Sequence, residues 1–534
     1  MPKFPAVINL KITIMQTARL PACKRFILSI GLSLFLSIQL FAQKSDFPVS
    51  TPEAQGVSSA GIDSFLNAAA HSKNEFHSIM ILRHGKVVAE GWWNPYGPAL
   101  RHSLYSCSKS FTSTAIGFAV SEKLLTVNDK VTSFFPGSLP DTIKPYLAEL
   151  TVKNLLTMSV GQDPDPTAKV PFASDDWVKG MLATPIVNKP GSKFLYNTMA
   201  TYTLSAIVQK VTGQKVVDYL KPRLFDPLGI KGMDWEISKQ GINTGGWGLR
   251  LKTEDLAKMG QLYLQKGMWN GKQILPKEWV EEATTFKIDN APGMPQNKKD
   301  SSDWMQGYCY QFWRSRHHTF RADGAFGQYI IVMPDQDAVI AITSETADMQ
   351  DELNLVWKYL LPAMHSKTLP ENKTAEVALR HHLAALTIQP LKNVNSGNAE
   401  IGNKTFSIQP NSLNISSIAF SVDNNIYHVT LKKDAESYSF DLATGKWLPG
   451  VTQMQGPGLV TGAREDFSIL SPYKVDCSYG WQDDKTLQLK LRYIESPHTE
   501  TITCHFNDQK LNAEVEYSFN YGSRKVKLNG ESVK

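Results

Sequence analysis

Two pairs of short apolar runs, far apart in the chain, constrain the fold more than any other feature. Ile79-Met80-Ile81-Leu82-Arg83 and Lys86-Val87-Val88-Ala89-Glu90 flank His84-Gly85, and Tyr329-Ile330-Ile331-Val332-Met333 and Ala338-Val339-Ile340-Ala341-Ile342 flank Pro334-Asp335-Gln336-Asp337. Each reads as a β-hairpin. Between them the pattern is helical, with candidates over 106–123, 152–158, 200–212, 253–265 and 277–284, several opened by Ser, Thr or an acidic first turn. A further helix is expected from Ser58-Ser59 to Ala70, and a closing helix over 351–364. Strands at both ends of a helical stretch predict an α+β class: an antiparallel sheet assembled from both chain ends, flanked by helices, with an inserted helical subdomain.

The 534 residues divide further. Lys24-Arg25 precedes an apolar run from Phe26 to Leu40 that ends in Phe41-Ala42, the layout of a signal peptide over 1–42, with Met15 an alternative start. The run is short for a membrane span and no later stretch is long enough, so an exported protein, periplasmic or secreted, with no stable span after cleavage is expected. The main domain covers 43–364, and a linker and helix cover 365–390. An all-β domain, a small sandwich or barrel, covers 391–534, where runs such as Thr486-Leu487-Gln488-Leu489-Lys490-Leu491 alternate between Gly, Asn and Asp turns.

A hydrophobic share of 42% and a charged share of 20% describe a globular protein. Residues 1–42 hold five basic residues and no acidic one, so without them the charges nearly balance. No basic patch argues for nucleic acid or an anionic membrane. Export implies an oxidising compartment, yet only four cysteines follow residue 42. Cys477 and Cys504, both in β-like stretches, are candidates for one disulfide, while Cys107 and Cys309 read as small buried hydrophobes.

The sharpest chemical signal is Tyr105-Ser106-Cys107-Ser108-Lys109, opening a helix. Ser106 and Lys109 are three apart and share a helix face, so the amine reaches the hydroxyl. A serine is a weak nucleophile until a base takes its proton, and a buried lysine serves once its pKa is depressed. Free amides at the helix N-terminus favour developing negative charge there. The bland reading of Ser-x-x-Lys is a capping serine beside an exposed lysine.

Context decides between these readings. Leu155-Leu156-Thr157-Met158-Ser159-Val160-Gly161, Tyr196-Asn197-Thr198 before a helix ending in Gly213, and Gly246-Trp247-Gly248-Leu249-Arg250 with Thr253-Glu254-Asp255-Leu256-Ala257 and Gly260 follow in order. With Ser-x-x-Lys, this set resembles the serine β-lactamase and penicillin-binding protein superfamily, in particular its class C β-lactamase and DD-peptidase-like branch. The resemblance implies a serine hydrolase that forms an acyl-enzyme on Ser106. Lys109 and Tyr196 would handle protons, and the amides of Ser106 and Ala325 would form the oxyanion hole. Thr198, Asp323 and Gly324 would line the substrate site. Two departures stand out. Ala322-Asp323-Gly324 replaces the usual Lys-Thr-Gly or His-x-Gly, and Thr198 stands where the family often has Asn.

Without the cation at Ala322, an ester or amide lacking a carboxylate is favoured over a penicillin or D-alanyl peptide. The expected partner is a small-molecule or peptide substrate with an acyl group; no metal and no organic cofactor are required. His77, His84, His102, His317 and His318 lack metal-ligand spacing, and His102 reads as a surface or packing residue. The alternative is a catalytically silent scaffold that binds cell-wall fragments or a partner.

Overall fold

The computed structural model describes residues 46–395, 401–460, 462–467, 470–519 and 525–533, so the signal peptide expected over 1–42 lies outside the described residues. In the first part of the chain the elements that frame the site are α1 (Ser59–Ala70), β1 (Glu75–Arg83), β2 (Lys86–Trp92), α2 (Ser108–Ser121), α3 (Thr198–Thr212) and α4 (Thr253–Leu264). β3 (Trp313–Arg314), β4 (Phe320–Gly324), β5 (Gln328–Met333) and β6 (Ala338–Glu345) follow, and α5 (Lys373–Ala384) leads out of this part.

These strands form one antiparallel sheet in the order β2-β1-β6-β5-β4-β3. Its centre joins the two hairpins, with Ile79 opposite Ile342 and Ile81 opposite Ile340. Alternation sends successive side chains to opposite faces. Ile79 and Ile81 pack with α1 residues Ile62, Phe65 and Leu66, whereas Met80 and Leu82 pack with α4 residues Leu256 and Met259. Both faces are therefore buried, which explains strands that read as continuous apolar runs. Ser58 caps α1 by accepting from the Gly61 amide, and Asn197 caps α3 by accepting from the Ala200 amide.

The expected closing helix is interrupted. Met349–Leu355 passes through a wider π turn at Val356–Leu360 before Leu361–Ala363, where Pro362 has no amide to continue an α-helical ladder.

The C-terminal part comprises β7 (Lys404–Ile408), β8 (Ile415–Asp423), β9 (Ile426–Lys433), β10 (Glu436–Ala443), β11 (Leu448–Thr452), β12 (Tyr473–Trp481), β13 (Thr486–Tyr493), β14 (Thr499–Asn507), β15 (Lys510–Tyr517) and β16 (Val526–Val533). They run in the order β10-β9-β8-β7-β16-β15-β14-β13-β12-β11, and a parallel bridge from Ala443 to Ser478 joins β10 to β12 and closes a barrel. Cys477 and Cys504 are both buried inside it as free thiols. The candidate disulfide does not form, since their strands β12 and β14 are separated by β13, with Cys477 opposite Leu491 and Cys504 opposite Leu487.

Barrel and first part belong to one compact unit, Ser45–Lys534. Arg492 grips Glu75 through contacts of 2.7 and 3.1 Å, Arg101 pairs with Glu495 at 3.2 Å, and the Ser103 amide donates to the Glu495 carbonyl. The segment between β11 and β12 crosses back as well: Glu465–Asp466 pairs with Ile237–Ser238. Among the described residues no helix is long and apolar enough to cross a membrane.

Candidate active site

Ser106 does not sit inside the α-helix. It occupies the middle of a 3-10 turn, Tyr105–Cys107, and α2 begins at Ser108. The spacing of three still brings the side chains together, because a 3-10 turn repeats every three residues. Lys109 Nζ lies 3.0 Å from Ser106 Oγ and donates to the Gly246 carbonyl at 2.8 Å. A side chain at position 246 would strike Thr198 and stand 3.4 Å from Nζ, so glycine is needed for this approach.

Lys109 is buried, only 1% exposed. Burial pushes its ammonium down from the usual 10.5 to about 7, against the more distant pull of Asp165 and Asp323. Tyr196 lies beside Ser106, and burial raises its phenol well above the ordinary value, so it stays protonated at neutral pH. Its ring stacks on Trp313 at 5.5 Å and faces Lys109 Nζ at 4.9 Å. The Leu155–Gly161 stretch supports this strand of chain: the Leu195 amide donates to the Met158 carbonyl at 2.9 Å, and Gly191 to Ser159 at 2.8 Å.

The opposite wall is the end of β4. A Cβ at Gly324 would lie 2.1 Å from the Leu104 carbonyl and 3.2 Å from the Cys107 amide, so only glycine lets this strand reach the Ser106 turn. Ala325 follows, half-buried, its carbonyl accepting from Gln328 Nε2 at 3.1 Å. Asp323 reaches the same wall, but its carboxylate is held by Arg321 two residues earlier, through contacts of 3.0 and 2.8 Å. Arg321 is fully buried and lies over Trp304 at 4.5 Å. Thr198 opens α3 beside Gly246, its amide donating to Thr167 Oγ1 at 3.1 Å.

Ser106, Lys109, Tyr196, Thr198, Asp323, Gly324 and Ala325 thus converge from three distant segments. A hydroxyl, a lysine with depressed pKa and a protonated phenol in contact can attack a carbonyl and pass its proton onward.

A family model described as Beta-lactamase matches residues 76–362, more than half of the chain. The chain belongs to the Beta-lactamase family. An uncharacterized protein of Alkalihalophilus pseudofirmus is 24% identical over 241 residues, which cover 40% of this chain and 66%, just under two thirds, of that protein. The 6-aminohexanoate-dimer hydrolase of Paenarthrobacter ureafaciens is 25% identical over 292 residues, 51% of this chain and 73% of the relative. A solved structure from Bacillus anthracis, provisionally assigned as a 6-aminohexanoate-dimer hydrolase, shares the fold with a TM-score of 0.50 at 22% identity, covering 62% of this chain and 90% of that one.

One placement narrows an expectation and another escaped it. His102, read as a surface or packing residue, is the latter: it is buried, with Nε2 3.0 Å from His77 Nδ1, and the His77 ring stacks on Tyr96. Asp165, whose carboxylate accepts from the Thr167 amide and hydroxyl, acts on both Lys109 and Tyr196. No local pattern marked it, since it lies on a loop before a single 3-10 turn.

Proposed function

We propose that this protein is an exported serine hydrolase that acts on an ester or linear amide through an acyl-enzyme on Ser106. The observation that carries the reading is the buried Lys109 amine, 3.0 Å from Ser106 Oγ and pushed down to about 7, where a substantial neutral fraction exists at physiological pH. Neutral Lys109 takes the Ser106 proton as Oγ attacks the carbonyl carbon, and the amides of Ser106 and Ala325 receive the oxyanion. Tyr196 remains a phenol: it passes its proton to the leaving alcohol or amine and regains one from the Lys109 ammonium. Water then attacks the acyl ester by the same route in reverse, releasing the acid and Ser106.

Substrate class follows from charge. Ala322 offers no cation, Arg321 is engaged with Asp323, and Asp165 and Asp323 add negative potential, so an incoming carboxylate finds no partner on this wall. Thr198 and Gly324 bound the space in which the acyl group lies. The relative named for hydrolysis of the 6-aminohexanoate dimer makes a linear amide a natural substrate to include.

The test compares initial rates of the protein and its Ser106→Ala variant on a short-chain aryl ester, a linear amide dimer, a chromogenic cephalosporin and a D-Ala-D-Ala peptide. Turnover of the ester or amide that vanishes in the variant is expected. Equal rates in both proteins, or none on any substrate, would sink the reading in favour of a silent scaffold. Export is checked by N-terminal sequencing of the protein from fractionated cells, with cleavage expected near Ala42.

A further inference from the structure

His498, from the turn between β13 and β14, is buried directly behind the Ser106 turn. Its Nδ1 lies 2.6 Å from Glu345 Oε1 at the end of β6, and its Nε2 lies 2.5 Å from the Tyr105 hydroxyl. A carboxylate only accepts, so Nδ1 carries the proton toward Glu345 and Nε2 accepts from Tyr105; the tautomer is assigned from these bonds. Ser518 Oγ donates to the same Glu345 oxygen at 2.8 Å. The imidazole meets Phe326 edge-on at 4.7 Å and Phe519 at 4.1 Å.

Tyr105 immediately precedes Ser106, and Phe326 immediately follows Ala325. Both take positive φ, 46° and 67°, a backbone conformation that a bulky residue holds only when its surroundings impose it. Their rings contact each other at 5.3 Å, and Ala325 and Leu459 pack against the same cluster. One side chain from the barrel therefore touches the residue beside each amide assigned to the oxyanion hole. Simple packing would call for an apolar residue at 498, yet this ring makes directed bonds on both nitrogens.

We propose that His498 is a positioning residue, which holds the Tyr105 and Phe326 backbones so that the Ser106 and Ala325 amides converge on one oxyanion. The barrel is then part of the catalytic centre. This inference rests on the serine-hydrolase reading above and deepens it.

The full-length protein and its His498→Ala, His498→Gln and Tyr105→Phe variants are assayed on the aryl ester and labelled with a fluorophosphonate, whose phosphoryl oxygen occupies the same hole. An oxyanion exists only after attack, so its stabilisation appears in kcat and not in KM. In His498→Ala, kcat and labelling rate fall roughly 10- to 100-fold with KM within about two-fold. Tyr105→Phe, which loses one hydroxyl, falls roughly three- to ten-fold. Glutamine can donate to Glu345 and accept from Tyr105, so His498→Gln recovers part of the rate. If His498→Ala does not fold, Tyr105→Phe and His498→Gln decide. Folded variants whose kcat and labelling rate stay within two-fold of the parent, or that change KM alone, overturn the proposal. A parent protein not labelled on Ser106 overturns the serine-hydrolase reading itself.

Discussion

Two lysines, Lys109 on α2 and Lys258 on α4, are equally buried at 1% exposure, and their surroundings could hardly differ more. Lys258 Nζ donates to Asp46 at 2.6 Å and has Asp255 at 3.9 Å. Lys109 Nζ touches only neutral oxygens, those of Ser106 and Gly246. A cation out of water needs a counter-ion or gives up its proton. Lys258 has the counter-ion and ties the start of the described chain to α4. Lys109 lacks one in contact, and burial lowers its pKa to about 7. Burial alone makes neither a base nor a strut; the neighbouring charge decides.

The comparison breaks most sharply at Lys109→Met. This variant loses roughly 100- to 10,000-fold in kcat on the aryl ester. Its thermal midpoint holds or rises, because an unpaired buried amine is replaced by an apolar chain of similar length. A folded variant with full activity would remove Lys109 from the chemistry. In the parent protein the neutral amine is the active form, so kcat/KM rises with pH through about 7 and levels above it.

A carboxylate placed beside Lys109 should make it resemble Lys258. Thr198→Asp favours the ammonium and moves that acid limb upward by about one pH unit, with roughly five-fold less activity at pH 7. An unmoved limb would show that Lys109 is not the group being titrated. The smallest catalytic effect is expected from Lys258→Met, whose kcat stays within about two-fold of the parent. Buried Asp255 loses its cation, and stability falls by about 2 kcal/mol in urea unfolding; exposed Asp46 adds little.

Much of the fold was legible locally. The His84-Gly85 turn, the Ser58 cap and the short apolar runs of both hairpins depend on neighbours within a few residues, and the Ser106 to Lys109 spacing survives even though a 3-10 turn replaces the first helical turn. What stayed open or unmarked in the sequence was decided where a distant segment intervened. Cys477 and Cys504 look alike in sequence, but β13 runs between their strands. His102 could be a surface or a packing residue on sequence alone, and it packs because β1 supplies His77 to receive it. His498 carries no motif, being one histidine in a β-rich stretch, and meets Tyr105 only because the barrel docks behind the nucleophile.

By itself the sequence determined the strands, the helices with their caps, and the ordered motifs around Ser106, Tyr196 and Gly246, since backbone sterics and side-chain period act over a few residues. Only the tertiary structure decided which buried lysine lacks a counter-ion, that Asp323 is held by Arg321, and that the barrel reaches Tyr105. Burial and electrostatic environment are sums over residues far apart in the chain, and they exist only once the chain has closed on itself.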